Sequence, residues 1–280
     1  MEVLSWEPRI FLYRGLLTHA ECGDLIASSR PKLHKSGVVD AVTGVAQTSK
    51  VRTSSGAAFG VGQTPTVSRI EDRLSRLTMT SVGQGEGLQI LRYERGEKYD
   101  PHHDYFSHEQ ADDMGGNRLV TALLYLSDVE EGGETVFPKV PVPKGQTLAA
   151  GFSECAMQGL ANKPRKGDAV VFWSIKTDGR FDVASLHGSC PVVRGEKWSA
   201  TKWIHVASLS QGKVVRVKHV PPPPPDVPGC VNVNKLCDHW AEAGECESNA
   251  EYMLGTKASP GDCLKACGRC DLGPNGPAKS

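Results

Sequence analysis

The stretch LQILRYERGEKYDPHHDYF, residues 88–106, decides how this sequence is read. Leu88, Ile90 and Arg92 alternate with Gln89, Leu91 and Tyr93, the period of a strand. Arg95-Gly96-Glu97 supplies a turn, and the chain extends again through His102 and Asp104. Side chains two apart on an extended chain share a face, so an imidazole and a carboxylate converge there. One more histidine would complete the set of two nitrogens and one carboxylate that holds iron(II) and leaves coordination positions open. A His-x-Asp pair also arises by chance, and Pro101 with the polar residues after it equally suits an exposed loop. The rest of the chain decides between the two.

Downstream, NRLVTALLYLSDV (117–129) reads as a buried strand, EEGGETVFP (130–138) as a turn into another, KGDAVVFW (166–173) as a turn and strand, and WSATKWIHVASL (198–209) as a last strand. Upstream, VLSWEPRIFLYRGLLT (3–18) alternates like a strand. Cys22, Leu25 and Ile26 then recur at helical spacing until Pro31, which makes Cys22 a buried free thiol on an apolar stripe. Residues 41–62, rich in Gly, Ser and Thr, read as a mobile surface segment. Ile70, Leu74 and Leu77 mark a second amphipathic helix over 67–78. Many short strands after two helices predict a mainly β fold with supporting α, a double-stranded β-helix or jelly roll.

The 280 residues suffice for more than one domain, and Lys plus Arg (32) equals Asp plus Glu (32). A formal charge of zero offers no basic field for a phosphate backbone, so nucleic acid is excluded as the expected partner. No apolar run reaches the roughly 18 residues of a membrane span. Met1 is not followed by the basic and apolar regions of a signal peptide. Six of the nine cysteines crowd residues 230–270, a density of oxidising compartments, which points to the secretory pathway, endoplasmic reticulum or Golgi. Residues 209–229 read as a linker whose Pro221–Pro225 run forms a polyproline II rod of about 3.1 Å per residue. Residues 271–280 read as a disordered tail.

SLHGSCPVVRGEKWSATKW (185–203) supplies what the opening stretch lacks. His187 precedes the last strands, where a jelly roll can bring it beside an early strand. Lys197 follows ten residues later. A lysine there has a role if the cosubstrate is a 2-oxo dicarboxylic acid: one end chelates iron and the buried far carboxylate needs a cation.

The series LRYERGEKYDPHHDYF, NRLVTALLYL, EEGGETVFP, KGDAVVFW, LHGSCPV and GEKWSATKWIHV resembles the prolyl 4-hydroxylases of the Fe(II)/2-oxoglutarate dioxygenase superfamily, most closely the algal and plant enzymes. The resemblance runs from about Val3 to Val206 and implies an oxygenase domain over 1–208. It implies His102, Asp104 and His187 as iron ligands, with His103 pointing away, and Lys197, Tyr93 and Thr135 as the 2-oxoglutarate site. Arg52, Ser54, Glu86, Tyr99, Arg118, Trp203 and His205 are similar to residues lining the family's peptide groove. For Arg118 and Trp203 a purely structural role stays open. The implied cofactors are Fe(II), 2-oxoglutarate, O2 and ascorbate. The implied reaction is hydroxylation of proline C4 in a proline-rich chain held as polyproline II, with hydroxyproline-rich cell-wall glycoproteins as expected substrates and collagen-type chains as the alternative. Cys155 and Cys190 match a family disulfide.

The late cysteines, C-x6-C-x8-C-x16-C-x3-C-x2-C, allow fifteen pairings. Their ending resembles the ShK-type toxin-like module, which implies Cys230 with Cys270, Cys237 with Cys263, and Cys246 with Cys267. A zinc site at Cys267 and Cys270 competes with that reading. A sister 2-oxoglutarate oxygenase acting on lysine or another side chain and a non-catalytic secreted binding protein stand as alternative functions. Oligomeric state is not legible.

Overall fold

Alternation of the kind seen in residues 88–93 organises the N-terminal unit: one parity of each strand packs on helices and the other faces a second sheet. The computed structural model describes residues 1–35, 51–106, 115–209, 230–241, 245–256 and 259–270, with the backbone alone of 37–39, 46–48 and 242. The chain divides into two units, Met1–Val217 and Lys218–Ser280.

In chain order the first unit carries β1 (Glu2–Ser5), β2 (Ile10–Tyr13), α1 (His19–Ser29), β3 (His34–Lys35), β4 (Gly37–Val39), β5 (Ala46–Thr48), β6 (Ser55–Phe59), α2 (Pro65–Thr78), β7 (Leu88–Tyr93), β8 (Tyr99–His102), β9 (Arg118–Tyr125), β10 (Glu131–Gly132), β11 (Thr135–Phe137), β12 (Leu160–Asn162), β13 (Ala169–Trp173), β14 (His187–Ser189), β15 (Val192–Arg194) and β16 (Lys197–His205). The major sheet runs β1-β2-β13-β9-β16-β7-β6-β3 and the minor sheet β12-β11-β14-β8. The fold is mainly β with helical support, a double-stranded β-helix.

Leu88 and Ile90 of β7, Val120, Ala122 and Leu124 of β9, and Trp198, Ala200 and Ile204 of β16 form one core with Cys22 and Leu25 of α1 and Val67, Ile70 and Leu74 of α2. The opposite parity faces inward, where Ile10, Leu12, Tyr125, Val170 and Phe172 meet Phe137 and Leu160 of the minor sheet. A one-residue slip would exchange the two faces, so burial on both sides fixes the register. Cys22 is a buried free thiol, as its place on the helix stripe predicts, with its Sγ 3.9 Å from the Tyr125 carbonyl oxygen.

Local signals set the helix ends. Thr18 accepts from the Glu21 amide while Glu21 reaches back to the Thr18 amide, a capping box whose loss costs about 1 kcal/mol. Thr64 caps α2, and Pro65 occupies its first turn, where a missing N–H costs nothing.

The expectation of a mobile surface segment over 41–62 is corrected in its second half. Ser55–Phe59 is β6, paired with β7 and β3, and Ala57 and Phe59 are buried. Small residues there mimic loop composition while allowing close strand packing.

The second unit carries α3 (Cys237–Glu242), α4 (Glu245–Ser248), α5 (Ala250–Met253), β17 (Gly255–Thr256) and β18 (Ser259–Pro260). Its core is Cys237, Met253 and Cys263. Disulfides join Cys230 to Cys270, Cys237 to Cys263 and Cys246 to Cys267, the usual substitute for a large core in so small a unit. In the first unit Cys155 is bonded to Cys190. The proline run Pro221–Pro225 and residues 271–280 lie outside the described residues. Among the described residues no helix is long and apolar enough to cross a membrane.

Candidate active site

The minor sheet sets the two histidines face to face. In the β8–β14 pair His102 stands opposite His187, with ring centroids 4.5 Å apart. Asp104 follows just past β8, Oδ1 3.6 Å from His102 Nε2 and Oδ2 3.5 Å from His187 Nε2. One ligand atom from each of the three lies within 4.8 Å of the others. Each ring is oriented from behind: His102 Nδ1 lies 2.9 Å from the Asp100 carbonyl and His187 Nδ1 3.0 Å from that of Ser185. A carbonyl only accepts, so the proton sits on Nδ1 and the Nε2 lone pair faces the centre. The Thr121 hydroxyl donates to Asp104 Oδ2 at 2.6 Å. His103 turns away, its Nε2 3.0 Å from the Val183 carbonyl and its ring stacked on Tyr105.

Electrostatics prepare these groups as ligands. Burial alone would raise the Asp104 carboxyl, but His187, His102 and Arg118 hold it well below the usual carboxylate range. Burial lowers His187 to about 4 against the opposing pull of Asp104, so its imidazole is neutral. Two imidazoles presenting Nε2 and a carboxylate, each braced by a hydrogen bond from behind, fit an iron(II) ion with open positions.

Lys197 sits deeper in the same space and is 2% exposed. Its Nζ donates to the Gly133 carbonyl at 2.7 Å and the Ser189 hydroxyl at 2.8 Å. The Tyr93 and Tyr125 rings stand 5.3 and 5.9 Å from it. Burial lowers its pKa to about 7, partly offset by Glu134. The Tyr125 phenol, raised to about 12 by burial, donates to the Thr135 hydroxyl at 2.8 Å. Among the described residues Lys197 makes no direct ion pair, its hydrogen-bond partners being neutral, and the far carboxylate of a 2-oxo dicarboxylic acid would provide one.

The triad and Lys197 line one cavity. Of the groove residues, Arg52, Tyr99 and Trp203 form its wall. Tyr99 stacks on His102 at 3.7 Å, and the Arg52 guanidinium lies 5.0 Å over the Tyr99 ring while donating to Gln89 at 2.8 Å. Among the described residues the indole N–H of Trp203 is buried with no hydrogen-bond partner. Ser54 and His205 are buried, at 0% and 1% exposure, and support rather than line the cavity. Ser54 receives Arg52 Nε at 3.4 Å, and His205 Nε2 lies 2.8 Å from Glu86. Glu86 and Arg118 flank the cavity: Arg118 pairs with Glu86 through Nε at 2.6 Å and Nη2 at 3.1 Å, and stacks 3.9 Å over Trp203.

Sequence reasoning missed Thr121, Gln89, Tyr125 and Ser189. Thr121 carried a signal, a hydroxyl in an otherwise apolar strand; Ser189 carried another, lying two residues after His187 on the same strand face.

Residues 88–205 match the 2OG-Fe(II) oxygenase superfamily. The chain is 47% identical over 268 residues to probable prolyl 4-hydroxylase 6 of Arabidopsis thaliana, covering 95% of this chain and 88% of the relative. It is 46% identical over 270 residues to prolyl 4-hydroxylase 2 of the same plant, covering 95% and 87%. Among solved structures, the viral collagen prolyl hydroxylase vCPH of Paramecium bursaria Chlorella virus-1, in its 2OG complex, aligns with a TM-score of 0.52 at 25% identity over 70% of this chain and 94% of that one.

Proposed function

The chain belongs to the prolyl 4-hydroxylases of the 2OG-Fe(II) oxygenase superfamily, and on that premise we propose how its cavity divides the work and which substrates it takes. The enzyme is an Fe(II)- and 2-oxoglutarate-dependent prolyl 4-hydroxylase acting on proline-containing peptides. When bound, iron and 2-oxoglutarate supply the oxidation: O2 is reduced as proline C4–H becomes C4–OH and the cosubstrate becomes succinate and carbon dioxide.

The chain's own residues bind, orient and exclude water. His102, Asp104 and His187 hold the metal. Lys197 pairs with the far carboxylate of 2-oxoglutarate, and Tyr93 and Thr135 close its pocket with protonated hydroxyls. Arg52, Tyr99, Arg118 and Trp203 form the face for the peptide, while Ser54, Glu86 and His205 hold that face in place.

The observation that carries the substrate reading is the aromatic and cationic wall, Tyr99, Trp203 and Arg52, beside the metal ligands. A polyproline II chain is already ordered, exposes its carbonyls and suits an aromatic groove at low entropic cost. The substrate class we favour is therefore a continuous proline-rich polypeptide of the cell-wall glycoprotein type. The four disulfides support maturation in the secretory pathway, and the pairing in the C-terminal unit supports a ShK-type module.

The test is a competition between a poly-L-proline peptide and a collagen-like peptide with glycine at every third position, with ascorbate present to keep iron reduced. Preferential hydroxylation of poly-L-proline is expected. Preference for the collagen-like peptide would overturn the substrate class.

A further inference from the structure

Lys202 stands where the strand pattern calls for an apolar side chain. Trp198, Ala200 and Ile204 of β16 face the helices, and Lys202 shares their parity, 2% exposed. Glu71 breaks the apolar stripe of α2 in the same way, next to Ile70 and also 2% exposed. The two meet: Lys202 Nζ donates to the Glu71 carboxylate, whose other oxygen accepts from the Gly62 amide at 2.8 Å. Apolar residues of similar volume would usually serve stability as well as a buried ion pair.

The remaining contact of the pair gives it a second role. Lys202 Nζ also donates to the Glu86 carbonyl, and the Glu86 amide donates to the Trp203 carbonyl at 2.9 Å. The flanking glycines leave no slack: a Cβ on Gly85 would meet Lys202 Cε at 2.4 Å, and one on Gly87 the Phe59 carbonyl oxygen at 2.4 Å. The backbone of Glu86 is thus fixed from the core side while its carboxylate holds Arg118 and His205.

We propose that the Glu71–Lys202 pair is a positioning device for the peptide-binding wall, setting Glu86 and through it the Arg118 guanidinium over Trp203. The inference rests on the reading that this wall receives the peptide. Lys202 and Glu71 do not line the cavity and act through Glu86.

The test measures KM for a poly-L-proline peptide and for 2-oxoglutarate separately on the iron-loaded full chain. Lys202→Met alone strands a buried carboxylate, so the informative variant is Lys202→Met with Glu71→Leu, which removes both charges. Gly85→Ala, which displaces the lysine tip without removing charge, is the second variant. Each is expected to raise peptide KM about tenfold or more, the scale of a misplaced positioning group, with the 2-oxoglutarate KM and peptide-free succinate release unchanged. Wild-type peptide KM in both, or a parallel rise of both KM values, would overturn the proposal. Glu86→Gln separates the two failures. A raised peptide KM in Glu86→Gln alone leaves the wall standing and discards the positioning pair, whereas no change there discards both.

Discussion

Replacing Lys197 with methionine removes a cation and keeps most of the stem. The ammonium is almost wholly desolvated, and its two partners, the Gly133 carbonyl and the Ser189 hydroxyl, are neutral. The far carboxylate of 2-oxoglutarate would then be buried without a counter-charge. Truncating one partner of a buried, hydrogen-bonded charge pair costs about 2–5 kcal/mol. Its depth and its neutral hydrogen-bond partners place Lys197 in the middle of that range, at about 3–4 kcal/mol, or roughly 100- to 1,000-fold in affinity at 1.4 kcal/mol per tenfold. The assay is calorimetric titration of iron-loaded protein with 2-oxoglutarate in the absence of oxygen. A 2-oxo monocarboxylic acid of equal length serves as control, since it keeps the chelating head and lacks the far carboxylate. The variant should lose the wild-type preference for the dicarboxylate. An affinity for 2-oxoglutarate within threefold of wild type, or an intact preference over the monoacid, would refute the assignment of Lys197.

Three further outcomes follow from the same geometry. Because burial lowers the free Lys197 to about 7 and a bound carboxylate would raise it, 2-oxoglutarate affinity should be level below about pH 6 and fall by up to tenfold per unit above pH 7; titrations at several pH values check this, and a flat profile contradicts it. Thr121→Val, which removes the donor to Asp104 without changing side-chain shape, should weaken Fe(II) binding about 10- to 100-fold in a direct metal titration, and unchanged affinity would remove Thr121 from the metal site. Replacing Cys155 and Cys190 by serine opens a bridge across a sequence separation of 35, for which loop entropy gives about 4 kcal/mol; a melting temperature equal to wild type would contradict that cost.

The readable parts of the sequence are those in which period records burial. In β7, β9 and β16 the helix-facing and cavity-facing residues alternate, so strand and face can be read together, and His102 and Asp104 emerge from the same logic. β12 and β14 are only three residues long and show no period. Ser55–Phe59 hides in a composition of small residues. Gln89 and Thr121 look like ordinary strand positions until the approach of Arg52 and of Asp104 gives them partners. Lys202 and Glu71 are each a charge on an apolar face, legible as anomalies but matched only by the packing of α2 on β16.

The central claim is tested most directly by mass analysis of a poly-L-proline peptide turned over with Fe(II), 2-oxoglutarate and ascorbate, with succinate measured in the same samples for wild type and Asp104→Ala. The account predicts a one-oxygen gain on proline C4 with one succinate per hydroxyproline in wild type, and neither product from the variant. Hydroxylation by Asp104→Ala at the wild-type rate, or iron-bound wild type that oxidises no proline peptide, would contradict it.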